Sequence, residues 1–198
     1  MSPSGRTSSA KQEVEIKFRI GDLRALTRRL PAAGFRLKTR RTLEQNTLFD
    51  DAERRLASRG DVLRIRSYGK VWTLTHKTRG SEGRHKVRTE TETVVADGEA
   101  LTAILHSLGF QPAFRYEKFR TEWTDGKGDV VLDETPIGNF GEIEGPAAWI
   151  DRTANKLKLT PADYLTASYV ALFREWKSLT GSNATEMTWK AITGKAKR

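Results

Sequence analysis

The sequence predicts an α+β domain: a sheet whose strands each carry one charged and one apolar face, with amphipathic helices on the apolar side. Three observations support that class. Several short segments alternate polar and apolar residues with period two, as half-buried strands do. Their polar positions are filled largely by Lys, Arg and Glu. Elsewhere leucines recur at intervals of three and four, the spacing of a helix with one buried face.

Taken in order, residues 1–10 (MSPSGRTSSA) are small and polar and read as a flexible tail. The first strand is EVEIKFRI, in which Glu13, Glu15 and Lys17 share one face and Val14, Ile16 and Phe18 the other. A helix follows from Asp22 to Leu30, with Asp22 as its cap, Leu23, Leu26 and Leu30 on one side, and Pro31 as its stop. From about Leu43 to Val95 the pattern is strand-like, with turns at Ser58-Arg59-Gly60, Tyr68-Gly69-Lys70 and Gly80 to Gly83. Asp97 to Leu108 is a second helix, apolar at Leu101, Ile104, Leu105 and Leu108 and ended by Gly109. Strands resume from Phe114 to Trp123, turn through Asp125-Gly126-Lys127-Gly128-Asp129 into VVLDE, and close with a short strand near Phe140 to Glu144. Thr160-Pro161 opens a last helix, along which Leu165, Tyr169, Leu172, Phe173 and Trp176 mark one face. The final residues are basic and weakly patterned. The expected organisation is one domain over residues 11–180, followed by a basic tail over residues 181–198.

Composition narrows the chemistry. The chain lacks cysteine, which excludes disulfides, thiolate metal sites and cysteine nucleophiles. No apolar run is long enough for a membrane-spanning helix, so a soluble, cytoplasmic protein with no membrane partner is expected. A net charge of +10 points to an anionic partner, either nucleic acid or a small polyanion such as a phosphate chain. No G-x-x-x-x-G-K-[ST] occurs, so any phosphate site is not a P-loop.

The charged face then recurs from strand to strand. Arg64 and Arg66 align; so do Thr73, Thr75 and Lys77; so do Arg88, Glu90 and Glu92. Lys118, Arg120 and Glu122 share a face with Tyr116, Glu142 and Glu144 flank Ile143, and Asp133 ends an apolar strand. Two architectures satisfy this pattern. An open sheet would show the charges to water, whereas a barrel would enclose them in its lumen and turn its apolar residues outward under the helices. An enclosed set must be neutralised by partners, metal or ligand, because an unpaired buried charge costs several kcal/mol, on the order of the whole stability margin. Carboxylate clusters suit Mg²⁺ or Mn²⁺ and Arg/Lys clusters suit phosphate, so one lumen holding both suits a metal–polyphosphate complex.

These motifs resemble the CYTH superfamily, the triphosphate tunnel metalloenzymes. Their hallmark E-x-E-x-K is matched by Glu13, Glu15 and Lys17. The later R-x-R, T-x-K, R-x-E-x-E, K-x-R, aspartate and E-x-E elements are matched in order by Arg64/Arg66, Thr75/Lys77, Arg88/Glu90/Glu92, Lys118/Arg120, Asp133 and Glu142/Glu144, over about residues 12–176. The resemblance implies a closed eight-stranded antiparallel β-barrel with helices packed on the outside. It implies triphosphate held by Lys17, Arg64, Arg66, Lys77, Arg88, Lys118 and Arg120, with Lys17, Arg64, Arg66 and Lys77 closest to the chemistry. It also implies Mg²⁺ or Mn²⁺ held by Glu13, Glu15, Asp133, Glu142 and Glu144, with Glu90 and Glu92 in support. His76, His85 and His106 are assigned no role.

The expected activity is metal-dependent hydrolysis of inorganic, nucleoside or another organic triphosphate. The same family contains class IV adenylyl cyclases, which make cyclic AMP and pyrophosphate from ATP, and this is the alternative. A non-catalytic polyphosphate- or RNA-binding module fits the basic balance, but paired glutamates would repel a nucleic-acid backbone. A monomer and a homodimer both remain compatible with the sequence.

Overall fold

The computed structural model describes residues 10–196, so the tail expected over residues 1–10 falls outside it save for Ala10. The strands are β1 (Lys11–Arg19), β2 (Arg36–Asp50), β3 (Val62–Tyr68), β4 (Val71–Lys77), β5 (Ser81–Glu82), β6 (Lys86–Val95), β7 (Gln111–Thr124), β8 (Asp129–Thr135) and β9 (Gly138–Glu144). Eight of them run in the order β1-β9-β8-β7-β2-β3-β4-β6, and β6 pairs back onto β1. All these pairings are antiparallel, and the two-residue β5 pairs only with β6. The closed eight-stranded antiparallel β-barrel is therefore the fold. β1 completes the closure by dividing its length: Lys11 to Glu15 pair with β6, and Glu15 to Arg19 pair with β9. Closure leaves few free strand edges, and its register decides which face of each strand is inside.

The helices are α1 (Leu23–Ala32), α2 (Arg55–Arg59), α3 (Gly98–Ser107), α4 (Ala147–Lys156), α5 (Tyr169–Thr180) and α6 (Trp189–Thr193). Because the charges point inward, the apolar faces point outward and need cover. α1 and α4 supply it over β1, β8 and β9, where Leu26, Leu30, Trp149 and Ile150 pack with Ile16, Phe18, Val130 and Ile143. α3 covers β3 and β4 through Leu105, packed with Phe49 and Ile65. Gly141 makes the first of these interfaces possible. A Cβ there would lie 2.0 Å from the Phe18 ring, so only glycine admits Phe18 across β9 beside Glu142.

α5 packs differently. Its Tyr169, Leu172 and Phe173 meet Tyr116 and Phe140 together with Leu48 and Phe114. Phe114, Tyr116 and Phe140 share the strand parity of Lys118 and Glu142, so α5 lies over inward-facing residues near one end of the barrel.

Several local expectations need correction. α1 runs through Pro31 to Ala32: the proline forfeits one helix hydrogen bond, but the Ala33 N–H still closes the last turn on Arg29 and Leu30 at 3.0 and 3.1 Å. The expected turn at Ser58-Arg59-Gly60 is the end of α2, whose Leu56 and Ala57 N–H groups donate to Asp50 at 2.9 Å. α4 was not anticipated, although Trp149, Ile150, Thr153, Ala154 and Leu157 are buried at helical spacing. Thr160-Pro161 starts only a short 3₁₀ turn, Pro161–Asp163, and α5 begins later at the Ser168 cap. Leu165 is not helical: its N–H and C=O bond the Lys17 backbone at 2.7 and 3.0 Å, occupying the edge of β1 that β6 leaves free.

Nor does the chain beyond residue 180 leave the barrel as a tail. Met187 and Trp189 are buried, Met187 exchanges backbone hydrogen bonds of 3.0 Å with Arg115 and Glu117, and Trp189 packs on Phe119 at 5.1 Å. An isolated bridge and a single helical turn are too short to show a period, which is why composition alone suggested a tail.

Candidate active site

The inner wall of the barrel borders a cavity of about 2000 Å³. Register turns the charged faces into a lattice of opposite pairs. Directly facing one another across strands are Glu13 and Arg88, Glu15 and Lys86, Lys17 and Glu142, Lys77 and Glu90, Lys118 and Glu44, and Arg120 and Asp133. Lys77 Nζ lies 2.7 Å from Glu13 and 3.1 Å from Glu90. Arg66 grips both oxygens of Glu92, at 2.9 and 3.1 Å. Buried Arg64 donates to Thr75 Oγ1 at 3.2 Å and stands 3.6 Å from Glu92, while its Nε has no hydrogen-bond partner among the described residues. Arg88 donates to the backbone oxygens of Gly60 and Thr78 and borders the cavity.

Lys17 and Arg120 both donate to Glu142. Burial disfavours the Lys17 ammonium, but Glu142 and then Glu15 outweigh it and hold the group above the usual lysine range. Burial likewise opposes the Glu142 charge, and Lys17 and Arg120 hold that carboxyl well below the usual range. Both groups therefore stay ionised inside the protein, as tight pairing in a low-dielectric site requires.

Asp133 stands apart from the expected metal ligands. It is fully buried and does not border the cavity. Its oxygens accept from Lys118 at 2.9 Å, from Arg120 at 2.7 and 2.8 Å, and from the Tyr169 hydroxyl at 2.6 Å. The expected metal ligand Asp133 is thus turned to these donors and not to the cavity.

Behind the same cations lies Glu44, which sequence reading missed. It is 0% exposed, 3.3 Å from Lys118 and 3.6 Å from Arg120. Burial raises its pKa, but Lys118 and Arg120 outweigh that and depress it. Lys86, 3.6 Å from Glu15, was also missed, although Lys86 simply continues the face of Arg88, Glu90 and Glu92. Glu44 offered no such signal, because TLEQNTLFDD has no alternating charge. Tyr169, which the sequence places on one face of the last helix, is buried and donates to Asp133 among these cations. None of the three histidines borders the cavity.

Among the described residues no three acidic or imidazole side chains converge into a ready-made ion site. The donor chemistry nevertheless fits a hard divalent cation. Glu15 and Glu144 face each other directly across β1 and β9, a like-charge pair that destabilises a sheet unless something neutralises it. Burial and the neighbouring Glu13 charge push the Glu144 carboxyl above its ordinary value. Glu13, Glu15, Glu142 and Glu144 all border the cavity; Lys86 lies 3.6 Å from Glu15 and Lys11 3.5 Å from Glu144, and a cation between these two carboxylates would relieve their mutual repulsion.

A closed antiparallel tunnel with outward apolar faces and an inward lattice of opposite charges defines a distinct class of protein. The chain belongs to the CYTH family, whose domain matches residues 11–164. Adenylate cyclase CyaB of Aeromonas hydrophila is 29% identical over 132 residues, 66% of this chain and 67% of that protein. A Methanocaldococcus jannaschii protein named for adenylate cyclase activity is 26% identical over 133 residues, covering 67% of this chain and 75% of its own. Among solved structures, a Vibrio parahaemolyticus protein similarly named superposes with a TM-score of 0.73 at 19% identity, over 86% of this chain and 99% of its own. A Hippeastrum protein, a candidate adenylyl cyclase described as having a dominant triphosphatase activity, superposes with a TM-score of 0.63 at 21% identity, over 82% and 95% of the two chains.

Proposed function

We propose that this CYTH enzyme is a divalent-metal-dependent triphosphatase that removes the terminal phosphate of inorganic triphosphate or of a nucleoside or other organic triphosphate. The observation that carries the reading is the buried lattice of exchangeable ion pairs. Lys17, Lys77, Lys118 and Arg120 are each held by carboxylates in the free protein. A phosphate chain can take those cations, which releases Glu13 and Glu142; together with Glu15 and Glu144 these carboxylates would then hold Mg²⁺ or Mn²⁺. Such an ion polarises phosphate oxygens and lowers the pKa of a bound water.

The chain's own residues do the rest. Lys17, Lys118 and Arg120 bind phosphate oxygens on one side of the lumen, and Arg64, Arg66, Lys77 and Arg88 bind them on the other. Glu90 and Glu92 orient Lys77 and Arg66, while Asp133 and Glu44 orient Lys118 and Arg120. Fixed cations of this kind stabilise charge as it develops on the departing phosphate and need little rearrangement to do so.

The adenylate cyclase names of the two relatives in sequence favour a second reading, attack of the ribose 3′-hydroxyl on the α-phosphorus of ATP. That reaction needs the ribose held in line, a constraint the terminal phosphates do not impose. Product analysis separates the two. Incubated with Mg²⁺ or Mn²⁺, a triphosphatase yields orthophosphate from ATP or from inorganic triphosphate. Cyclic AMP and pyrophosphate in equal amounts, with inorganic triphosphate inert, would replace this reading with the cyclase.

A further inference from the structure

The geometry points to Tyr169, the first residue of α5, as a positioning residue that holds the ammonium groups of Lys17 and Lys118 at a fixed spacing for one phosphate chain. The phosphate part of this inference rests on the triphosphate reading above. Lys17 Nζ lies 4.7 Å from the centre of the Tyr169 ring, and Lys118 Nζ lies 4.8 Å from it. Two ammonium groups over one ring repel each other, and the electron-rich ring face attracts both. A lysine chain has four carbons and rotates freely, so a shared aromatic platform restricts where the two charges can sit.

The platform is itself fixed. The Tyr169 hydroxyl donates to Asp133 at 2.6 Å, Tyr116 stacks on the ring at 5.6 Å, and Phe140 meets it edge-on at 5.8 Å. Asp133 also accepts from Lys118, so ring and ammonium are registered on one carboxylate. The same segment holds the backbone of Lys17 through the paired hydrogen bonds of Leu165. Tyr169 lies beyond residues 11–164, the part that matches the CYTH domain. Part of the cation geometry is thus set by a helix outside the matched region.

Two variants test the assignment. Tyr169→Phe keeps the ring and loses the hydroxyl, whereas Tyr169→Leu loses the ring. The first measurement is the NMR shift of the lysine ε-methylene protons, assigned with Lys17→Arg and Lys118→Arg. Ring current should move both upfield in the parent protein and in Tyr169→Phe, and not in Tyr169→Leu. The second is the affinity for inorganic tripolyphosphate without metal, at a temperature where circular dichroism shows the variant folded. Tyr169→Leu should bind roughly tenfold more weakly, with most of the affinity restored in Tyr169→Phe.

Ordinary ε-methylene shifts in the parent protein would overturn the proposal, and this spectrum decides the matter even if Tyr169→Leu does not fold. Parent-like affinity in a folded Tyr169→Leu would also overturn it. A parent protein that binds no tripolyphosphate with or without Mg²⁺, yet shows both shifted lysines, would refute the triphosphate reading and support the positioning.

Discussion

Glu44 has no solvent contact, faces two cations, and accepts a hydrogen bond from Asn46 at 3.0 Å. Removing one member of a buried ion cluster leaves the others uncompensated, which commonly costs about 3–5 kcal/mol. Glu44→Gln should therefore destabilise the metal-free protein by about that amount at pH 7, read from urea unfolding. The depressed pKa fixes the pH dependence. Its stabilisation is fully present above the ordinary glutamate value of 4.5 and fades as pH falls through the lower folded-state value. The stability gap between parent and variant should hence be constant above pH 4.5 and shrink below it. A gap of the same size at both ends of that range would show that Glu44 is not the stabilising ion described. The contrast with Glu13 and Glu15 explains what was legible. Those two announce themselves by alternating with apolar residues along one strand. Glu44 acquires its meaning only from Lys118 across the sheet, and cross-strand register is not written locally.

At the scale of elements, strands with strong alternation were readable and short or irregular pieces were not. β1, β3 and β6 carry a charge at nearly every second position, and β4 alternates Thr73, Thr75 and Lys77 with Trp72 and Leu74, so their inward faces could be named residue by residue. The 165–169 segment breaks a helical pattern because Leu165 serves the free edge of β1, a need set by distant chain. The C-terminal segment is the sharper case, since its two buried anchors, Met187 and Trp189, are only two positions apart in basic sequence. Fully burying such side chains contributes roughly 1.5–3 kcal/mol each. A chain ended after Gly181 should therefore unfold at a clearly lower temperature than the full protein, with β7 amides near Arg115 and Glu117 exchanging faster. Unchanged melting and exchange would return residues 182–196 to the status of a tail.

Across the whole molecule, the inward charges of the barrel satisfy one another. On the proposed reading anion and metal do not compete, because one would take cations and the other carboxylates. Each should also make the other's partners available, so the two binding events are coupled, and by thermodynamic reciprocity each strengthens the other equally. A ligand that binds only the folded state raises its stability in proportion to the logarithm of one plus its concentration over its dissociation constant, about 2.7 kcal/mol at a hundredfold excess. Mg²⁺ and tripolyphosphate together should accordingly raise the melting temperature by more than the sum of their separate effects. Because the two also associate in solution, Glu15→Gln supplies the control. It retains Lys17, Lys118 and Arg120, so tripolyphosphate alone should stabilise it much as it stabilises the parent. It lacks one carboxylate of the Glu15–Glu144 pair, so the excess from adding Mg²⁺ should fall sharply, together with turnover by about 10²–10³. An excess that persists undiminished in Glu15→Gln would place the ion elsewhere in the tunnel and reduce the exchange of partners to a coincidence of register.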